Sequence, residues 1–267
     1  MTDDEPGTRA SFLDRLSADA RLRLFEVGTR RRFPAGSTVF FEGDDAHEAV
    51  VILDGLVKVL VVSPHGRELI LDVLGPSSLL GELASLDGGK RSATAQALTE
   101  LEVLSVGSEA FIRCLLQHPT DLLNLTVLIA GRLRASDRRQ LEFGTGDALA
   151  RLCARLQDVA ARFGEEGEDC LVTIESPLSQ AELASWSGLS REAVVKSLRT
   201  LRELGWIANR GNRITILQPD ALRDRAQLER VERSALMSVP GWFAASSRCM
   251  HVLVCPCQDL PQLTNRP

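Results

Sequence analysis

The stretch "PLSQAELASWSGLSREAVVKSLRTLRELGWIANRGNRITIL", residues 177–217, decides the architecture of the second half of the chain. Ser179 and Glu182 form an S-x-x-E capping box that opens a short helix. Gly188 supplies a tight turn, Ser190 caps a second helix, and Gly205 follows that helix as its C′ residue. Two β-rich runs then flank a turn at Arg210, Gly211 and Asn212. Helix, tight turn, helix and hairpin make a winged helix-turn-helix. On the second helix Val194, Leu198 and Leu201 share an inner face, whereas Arg191, Glu192, Val195, Lys196 and Arg199 share the outer one. From 179 to 217 the bases are Arg191, Lys196, Arg199, Arg202, Arg210 and Arg213 and the acids Glu182, Glu192 and Glu203, a local +3 in a chain whose net charge is -5. Such a patch is the footprint of a groove-reading element on a protein that is otherwise no general polyanion binder.

Upstream of it, Leu149, Leu152, Leu156, Val159 and Phe163 lie on one face of a further helix. Residues 119–143 read as a long helix, in which positions 122, 126, 129, 133, 136 and 140 carry Leu, Thr, Ile, Leu, Ser and Gln. This narrow seam is apolar first and polar later. It packs either on its own domain or on a second copy, and a ligand lying against it would account for the polar half. Gly144 and Gly146, in "FGTGD", suit a hinge or a helix end. Between Arg32 and Val106 the pattern changes to short β-rich runs punctuated by glycines, the rhythm of a small antiparallel barrel or sandwich. A helical pattern over 11–30 precedes it. The organisation expected is a β-domain over 1–118, a dimerisation helix over 119–143, a winged helix-turn-helix over 144–218 and an extension over 219–267 of no assigned role.

The β-domain carries its own chemistry in "LLGELASLDGGKRSATAQA", residues 79–97. Glu82 lies nine residues ahead of Arg91, with glycines between and Ser92 and Thr94 after. A carboxylate beside a phosphate is repulsive unless it accepts from a neighbouring hydroxyl. That constraint points to a ribose phosphate with a free 2′-OH, Glu82 taking the hydroxyl and Arg91 the phosphate. Gly81 lets backbone approach, "GELAS" can start a short helix, and Ser92 can donate. A 3′,5′-cyclic nucleotide fits the set; a plain surface ion pair between Glu82 and Arg91 is the alternative.

The run Leu80, Gly81, Glu82, Leu83, Ala84, Ser85, then Arg91, Ser92, Ala93 resembles the phosphate-binding cassette of cyclic-nucleotide-binding domains. It departs from that pattern at Leu80, where an aromatic is usual, and at Ser85, where an apolar residue is usual. Together with the long helix and the winged helix-turn-helix, the chain from about residue 20 to 217 is similar to the cAMP receptor protein and FNR family of bacterial transcription regulators. The resemblance implies an α+β chain: an N-terminal double-stranded, jelly-roll-like β-roll, a long dimerisation helix and a C-terminal winged helix-turn-helix. It implies a homodimer on double-stranded DNA with a two-fold-related operator, working with RNA polymerase, and cAMP as effector; separately, no metal and no catalysis are expected. Gly81, Glu82, Leu83, Arg91 and Ser92 would hold the sugar phosphate, with Ser136 and Asp137 near the base, the second of these reaching the partner copy's ligand. Ser179, Ser190, Arg191, Glu192, Lys196, Arg199, Arg210 and Arg213 would meet DNA. Of these, Arg191 and Lys196 would reach guanine edges and Glu192 a cytosine amino group; Lys196 lacks the guanidinium fork of the family's usual Arg.

Other classes are poorly served. There is no P-loop, G-x-S-x-G or H-E-x-x-H, and the histidines at 47, 65, 118 and 251 are scattered. "MTDDEPGTRA" has no apolar core of a signal peptide, and no run approaches the roughly 20 apolar residues of a membrane span, so a cytoplasmic, membrane-free protein is expected. Cys249, His251, Cys255 and Cys257 leave open a redox or metal signal in place of a nucleotide, although C-x-H-x3-C-x-C is no standard zinc or cluster spacing. DNA binding without any ligand stays open as well.

Overall fold

The computed structural model describes residues 11–166, 172–175, 178–210 and 213–226. Two short helices, α1 (Phe12–Arg15) and α2 (Ala18–Val27), lead into eight strands: β1 (Thr29–Phe33), β2 (Thr38–Phe40), β3 (Glu48–Asp54), β4 (Val57–Val62), β5 (Glu68–Leu74), β6 (Leu79–Leu80), β7 (Thr94–Ala97) and β8 (Leu101–Gly107). They form two antiparallel four-stranded sheets, ordered β1-β8-β3-β6 and β2-β7-β4-β5, and the buried faces of both contribute to one core around Val50, Ile52, Val57, Ala95 and Val103. Helix α3 (Glu82–Asp87) interrupts this β-roll after β6.

Two elements of this half were not expected. β1 is a strand whose "TRRRF" has no alternation, because it lies at a sheet edge and nearly all of it is exposed. Its arginines are held by acids across the sheet surface, Arg30 and Arg32 on Glu102 and Arg31 on Glu48. Helix α4 (Ser108–Leu116) follows β8 and buries Phe111 and Leu115 against α2 and the β1-β8-β3-β6 sheet.

Helix α5 (Pro119–Thr145) begins with Pro at its first position, where the missing N–H costs nothing. It runs through Gly144, so the break in the chain is confined to Gly146 and Asp147, the latter capping α6 (Ala148–Phe163) through the amide of Ala150. The DNA-binding half continues with β9 (Glu165–Glu166), β10 (Val172–Glu175), α7 (Gln180–Ser187), α8 (Arg191–Glu203), β11 (Ile207–Arg210) and β12 (Arg213–Ile216), its sheet ordered β11-β12-β10-β9. Ser179 and Glu182 make the reciprocal capping box, Gly188 and Gly205 adopt left-handed φ of 62° and 69°, and Ser190 caps α8 through the amide of Ala193. The core centres on fully buried Trp186, with Leu152, Leu156, Val194, Leu198 and Leu201 around it.

That core does not stop at the DNA-binding half. Leu60, Ile70 and Val73 of the β4–β5 hairpin belong to the same buried cluster. β5 is an edge strand, whose free backbone groups need partners. Ser185 of α7 supplies them: its hydroxyl donates to the carbonyl of Glu68 and accepts from the amide of Ile70. Beside it, buried Lys58 donates to Glu182 at 2.9 Å. Burial raises the Glu182 carboxyl, but the bonds from Lys58 and Ser179 outweigh it and hold the group below its ordinary value.

Candidate functional site

A cavity of about 650 Å³ opens between the β-roll and α5. Gly81, Glu82, Leu83, Arg91, Ser92 and Ser136 all line it, so six of the seven residues assigned to the effector meet in one place. Asp137 does not: it is exposed and outside the lining, and its assignment concerns a second copy. Leu133 and Gln140 of the α5 seam also face the cavity, so the polar half of that seam borders open space rather than core.

Arg91 is 5% exposed. Its Nη1 donates to the carbonyl of Gly81 at 3.0 Å, its Nη2 to that of Glu48 at 2.7 Å, and its guanidinium stacks on Phe40 at 4.2 Å from the ring centre. Among the described residues no carboxylate forms an ion pair with it, and its Nε is buried with no partner. Burial lowers its pKa, with the fields of Glu48, Glu82 and Asp44 opposing. A buried cation satisfied only by neutral carbonyls is a ready seat for an anion. Gly81 permits this arrangement: its φ is 70°, and a Cβ there would lie 1.9 Å from Arg91 Nη1.

Glu82, 3% exposed, is not paired with Arg91. Arg132 of α5 takes its Oε1 at 2.5 Å and also donates to the carbonyl of Leu79. Arg132 went unseen in the sequence, as did Phe40, Asp72 and Arg139. The available signal was the spacing Arg132, Ser136, Arg139 along the polar half of the α5 seam.

Asp72 lines the cavity from β5 and faces two arginines: Arg162 of α6 donates to its Oδ1 at 2.6 Å, and Arg139 of α5 lies at 3.7 Å. Burial raises the Asp72 carboxyl, but the fields of Arg162 and Arg139 outweigh it, so its pKa stays below the usual carboxylate value. A depressed folded-state pKa contributes stability above the unfolded value, which is lost as pH falls through the folded one. Asp72→Asn is therefore expected to destabilise the protein by about 1–3 kcal/mol at neutral pH. In thermal unfolding at stepped pH, its deficit from the wild type should shrink towards acid.

The residues assigned to DNA are all exposed on the helix-turn-helix and its hairpin. Arg191, Glu192, Lys196 and Arg199 are exposed on α8 and, with Val195, line a shallow concavity. Arg199 is bonded to Glu203 at 2.8 Å within the helix. Arg210 and Arg213 are exposed, register partners at the end of the β11–β12 hairpin, whose tip residues 211 and 212 lie outside the described set. Ser179 and Ser190 lie exposed at the starts of α7 and α8, their hydroxyls engaged in capping.

Among the described residues no group of His, Cys, Asp and Glu is clustered to hold a metal, and no helix is long and apolar enough to cross a membrane. Cys249, His251, Cys255 and Cys257 lie outside the described residues, as does the extension beyond 226. Cys114 and Cys153 are buried, burial pushing the Cys153 thiol up to about 12, which keeps it from acting as a thiolate.

A buried cation at a cavity and an exposed, basic helix-turn-helix in one chain are the parts of a DNA-binding regulator with a small-molecule site. The cyclic nucleotide-binding domain family matches residues 30–118, and the Crp-like helix-turn-helix domain family matches residues 150–225. The "CRP-like cAMP-activated global transcriptional regulator" of Mycobacterium tuberculosis is 34% identical over 225 residues, covering 84% of this chain and all of that one. The "Cyclic AMP receptor protein" of Thermus thermophilus is 32% identical over 187 residues, 70% of this chain and 82% of that one. In fold, the chain is similar to FixK2 from Bradyrhizobium japonicum, with TM-score 0.67 and 20% identity over 74% of this chain and 96% of that one. It is similar too to a CRP/FNR-family transcriptional regulator from Thermus thermophilus, with TM-score 0.63 and 24% identity over 75% and 100%. The chain belongs to the CRP/FNR family of transcription regulators, with a cyclic nucleotide-binding domain and a Crp-like helix-turn-helix.

Proposed function

We propose that the protein is a homodimeric, cytoplasmic transcription regulator controlled allosterically by a cyclic nucleotide, with cAMP as the first candidate because the Mycobacterium and Thermus relatives carry cAMP in their names. The observation that carries the reading is Arg91, a buried guanidinium with no carboxylate partner among the described residues, facing a cavity that also presents Glu82. The phosphate sits on Arg91 and Ser92, and the ribose hydroxyl competes for Glu82 beside Arg132.

Coupling follows from the walls of the cavity. β5 lines it through Leu69, Ile70 and Leu71, and Ile70, with Val73 of the same strand, also belongs to the core that holds the helix-turn-helix. Phe143 of α5 lines it and also packs on the helix-turn-helix turn, where a Cβ on Gly188 would lie 2.6 Å from its ring. A ligand that favours one packing of these walls shifts the DNA-binding half by its differential affinity for the two states.

The dimer seam is supported by the apolar surface of α5, where Leu122 is 36%, Leu133 64% and Leu141 62% exposed. Leu133→Glu is expected to turn a dimer into a monomer in sedimentation velocity at micromolar concentration; a retained dimer contradicts this seam. The function itself is tested by selecting duplexes from a randomised pool with and without cAMP. The expected result is a two-fold-related motif with half-sites about one turn, roughly 34 Å, apart, enriched with cAMP. Recovery of no preferred sequence in either arm rejects it.

A further inference from the structure

The elements around the cavity measure out a ligand. Arg132, Ser136 and Arg139 lie on one face of α5 and all line the cavity. Arg132 marks the ribose end through Glu82. Arg139 is seven residues further on, about 10 Å along the axis, a separation that leaves room for a nucleobase beyond the sugar. At that level β5 departs from regular pairing: Val59 pairs with Asp72 and Leu60 with Ile70, so Leu71 is an extra residue. Such a bulge re-aims neighbouring side chains, and here Asp72 joins the cavity lining.

Asp72 and Arg139 are each largely buried, at 19% and 17% side-chain exposure. They are not a closed pair. Their separation of 3.7 Å is too long for a hydrogen bond, and Asp72 already has its own cation in Arg162 at 2.6 Å. The described hydrogen bond of Arg139 is one donation to the carbonyl of Leu71, out of five N–H donors. The cavity therefore meets a guanidinium fork beside a carboxylate, a donor set next to an acceptor.

We propose that Asp72 and Arg139 read the base, and that together they let the pocket take a guanine nucleotide as well as an adenine one. This rests on the reading of the cavity as a cyclic-nucleotide site. Guanine presents O6 and N7 as acceptors for an arginine fork and N1–H and N2–H as donors for a carboxylate. Adenine presents one amino group to Asp72 and one ring nitrogen to Arg139. Both bases satisfy both side chains, and guanine does so with more bonds.

Calorimetric titration of the full-length protein with cAMP and with cGMP tests this. The wild type is expected to bind cGMP within about tenfold of cAMP. Arg139→Gln removes the fork, while an amide still matches the N6 and N7 edge of adenine, so it is expected to weaken cGMP about tenfold or more relative to cAMP. Asp72→Asn removes the acceptor of two guanine donors and is expected to move the ratio the same way; it provides a second reading should one variant fold poorly. Ser92→Ala, at the phosphate, is expected to weaken both nucleotides in equal proportion. Rejection of cGMP by the wild type beyond about tenfold, or a ratio that both base-end variants leave within about threefold, overturns the assignment. Binding of neither nucleotide by the wild type overturns the cyclic-nucleotide reading along with it, whereas cAMP binding with an unmoved ratio removes the base assignment alone.

Discussion

Arg91→Leu is expected to abolish measurable binding of cAMP while leaving the protein folded. Truncating one partner of a buried, hydrogen-bonded charge pair costs about 2–5 kcal/mol, or roughly thirtyfold to several thousandfold in affinity. The fold should survive because the Arg91 guanidinium, among the described residues, donates only to the carbonyls of Gly81 and Glu48, and leucine replaces a desolvated cation with a side chain that suits the face of Phe40. Titration calorimetry reads the loss and circular dichroism the fold. The variant's DNA affinity should also stop responding to nucleotide. Unchanged cAMP binding by a folded variant would remove the phosphate from Arg91.

The second large effect is expected at Arg191. It stands exposed in the first turn of α8, the position from which the proposed reading sends it to a guanine edge. Losing a bidentate guanine contact costs about 1–3 kcal/mol per site, and a symmetric dimer loses it twice, about 2–6 kcal/mol in all. Arg191→Ala should therefore weaken the selected operator strongly and relax preference at one base pair per half-site. Arg213→Ala, at the hairpin end, should instead weaken all sequences alike and lower the salt slope by about 1 per copy. Anisotropy titrations on the operator and on single-base variants, across a salt series, separate the two patterns. Equal loss on every sequence for Arg191→Ala would make it a phosphate contact.

The parts of this molecule written in short-range code were readable from the chain alone. Ser179 with Glu182, Gly188, Ser190 and Gly205 each act within four residues, and all five sit in the structure as their chemistry requires. The β-runs between glycines were readable for the same reason. β1 was not, because its only reason to be a strand is pairing with β8, some seventy residues on, and its arginines show no buried face. Of the pocket, Glu82, Arg91 and Ser92 were legible because they share one local motif. Arg132 and Phe40 were not, since their meaning depends on Glu82 and Arg91 lying about fifty residues away in sequence yet within contact in space. Asp72 was hidden for a further reason. A carboxylate in a strand reads as an exposed position, and only the bulge at Leu71 and the arrival of Arg162 from α6 make it part of an interior.

The claim on which the account depends is that cavity occupancy alters the affinity of α8 for DNA. The direct measurement is the dissociation constant for the selected operator at one fixed salt concentration, without nucleotide and with saturating cAMP. Allosteric couplings of about 1–3 kcal/mol predict tightening of roughly 5–150-fold, and the same factor must appear in cAMP affinity when operator is added first. Equal operator affinity with and without nucleotide, in a protein that demonstrably binds it, would contradict the account.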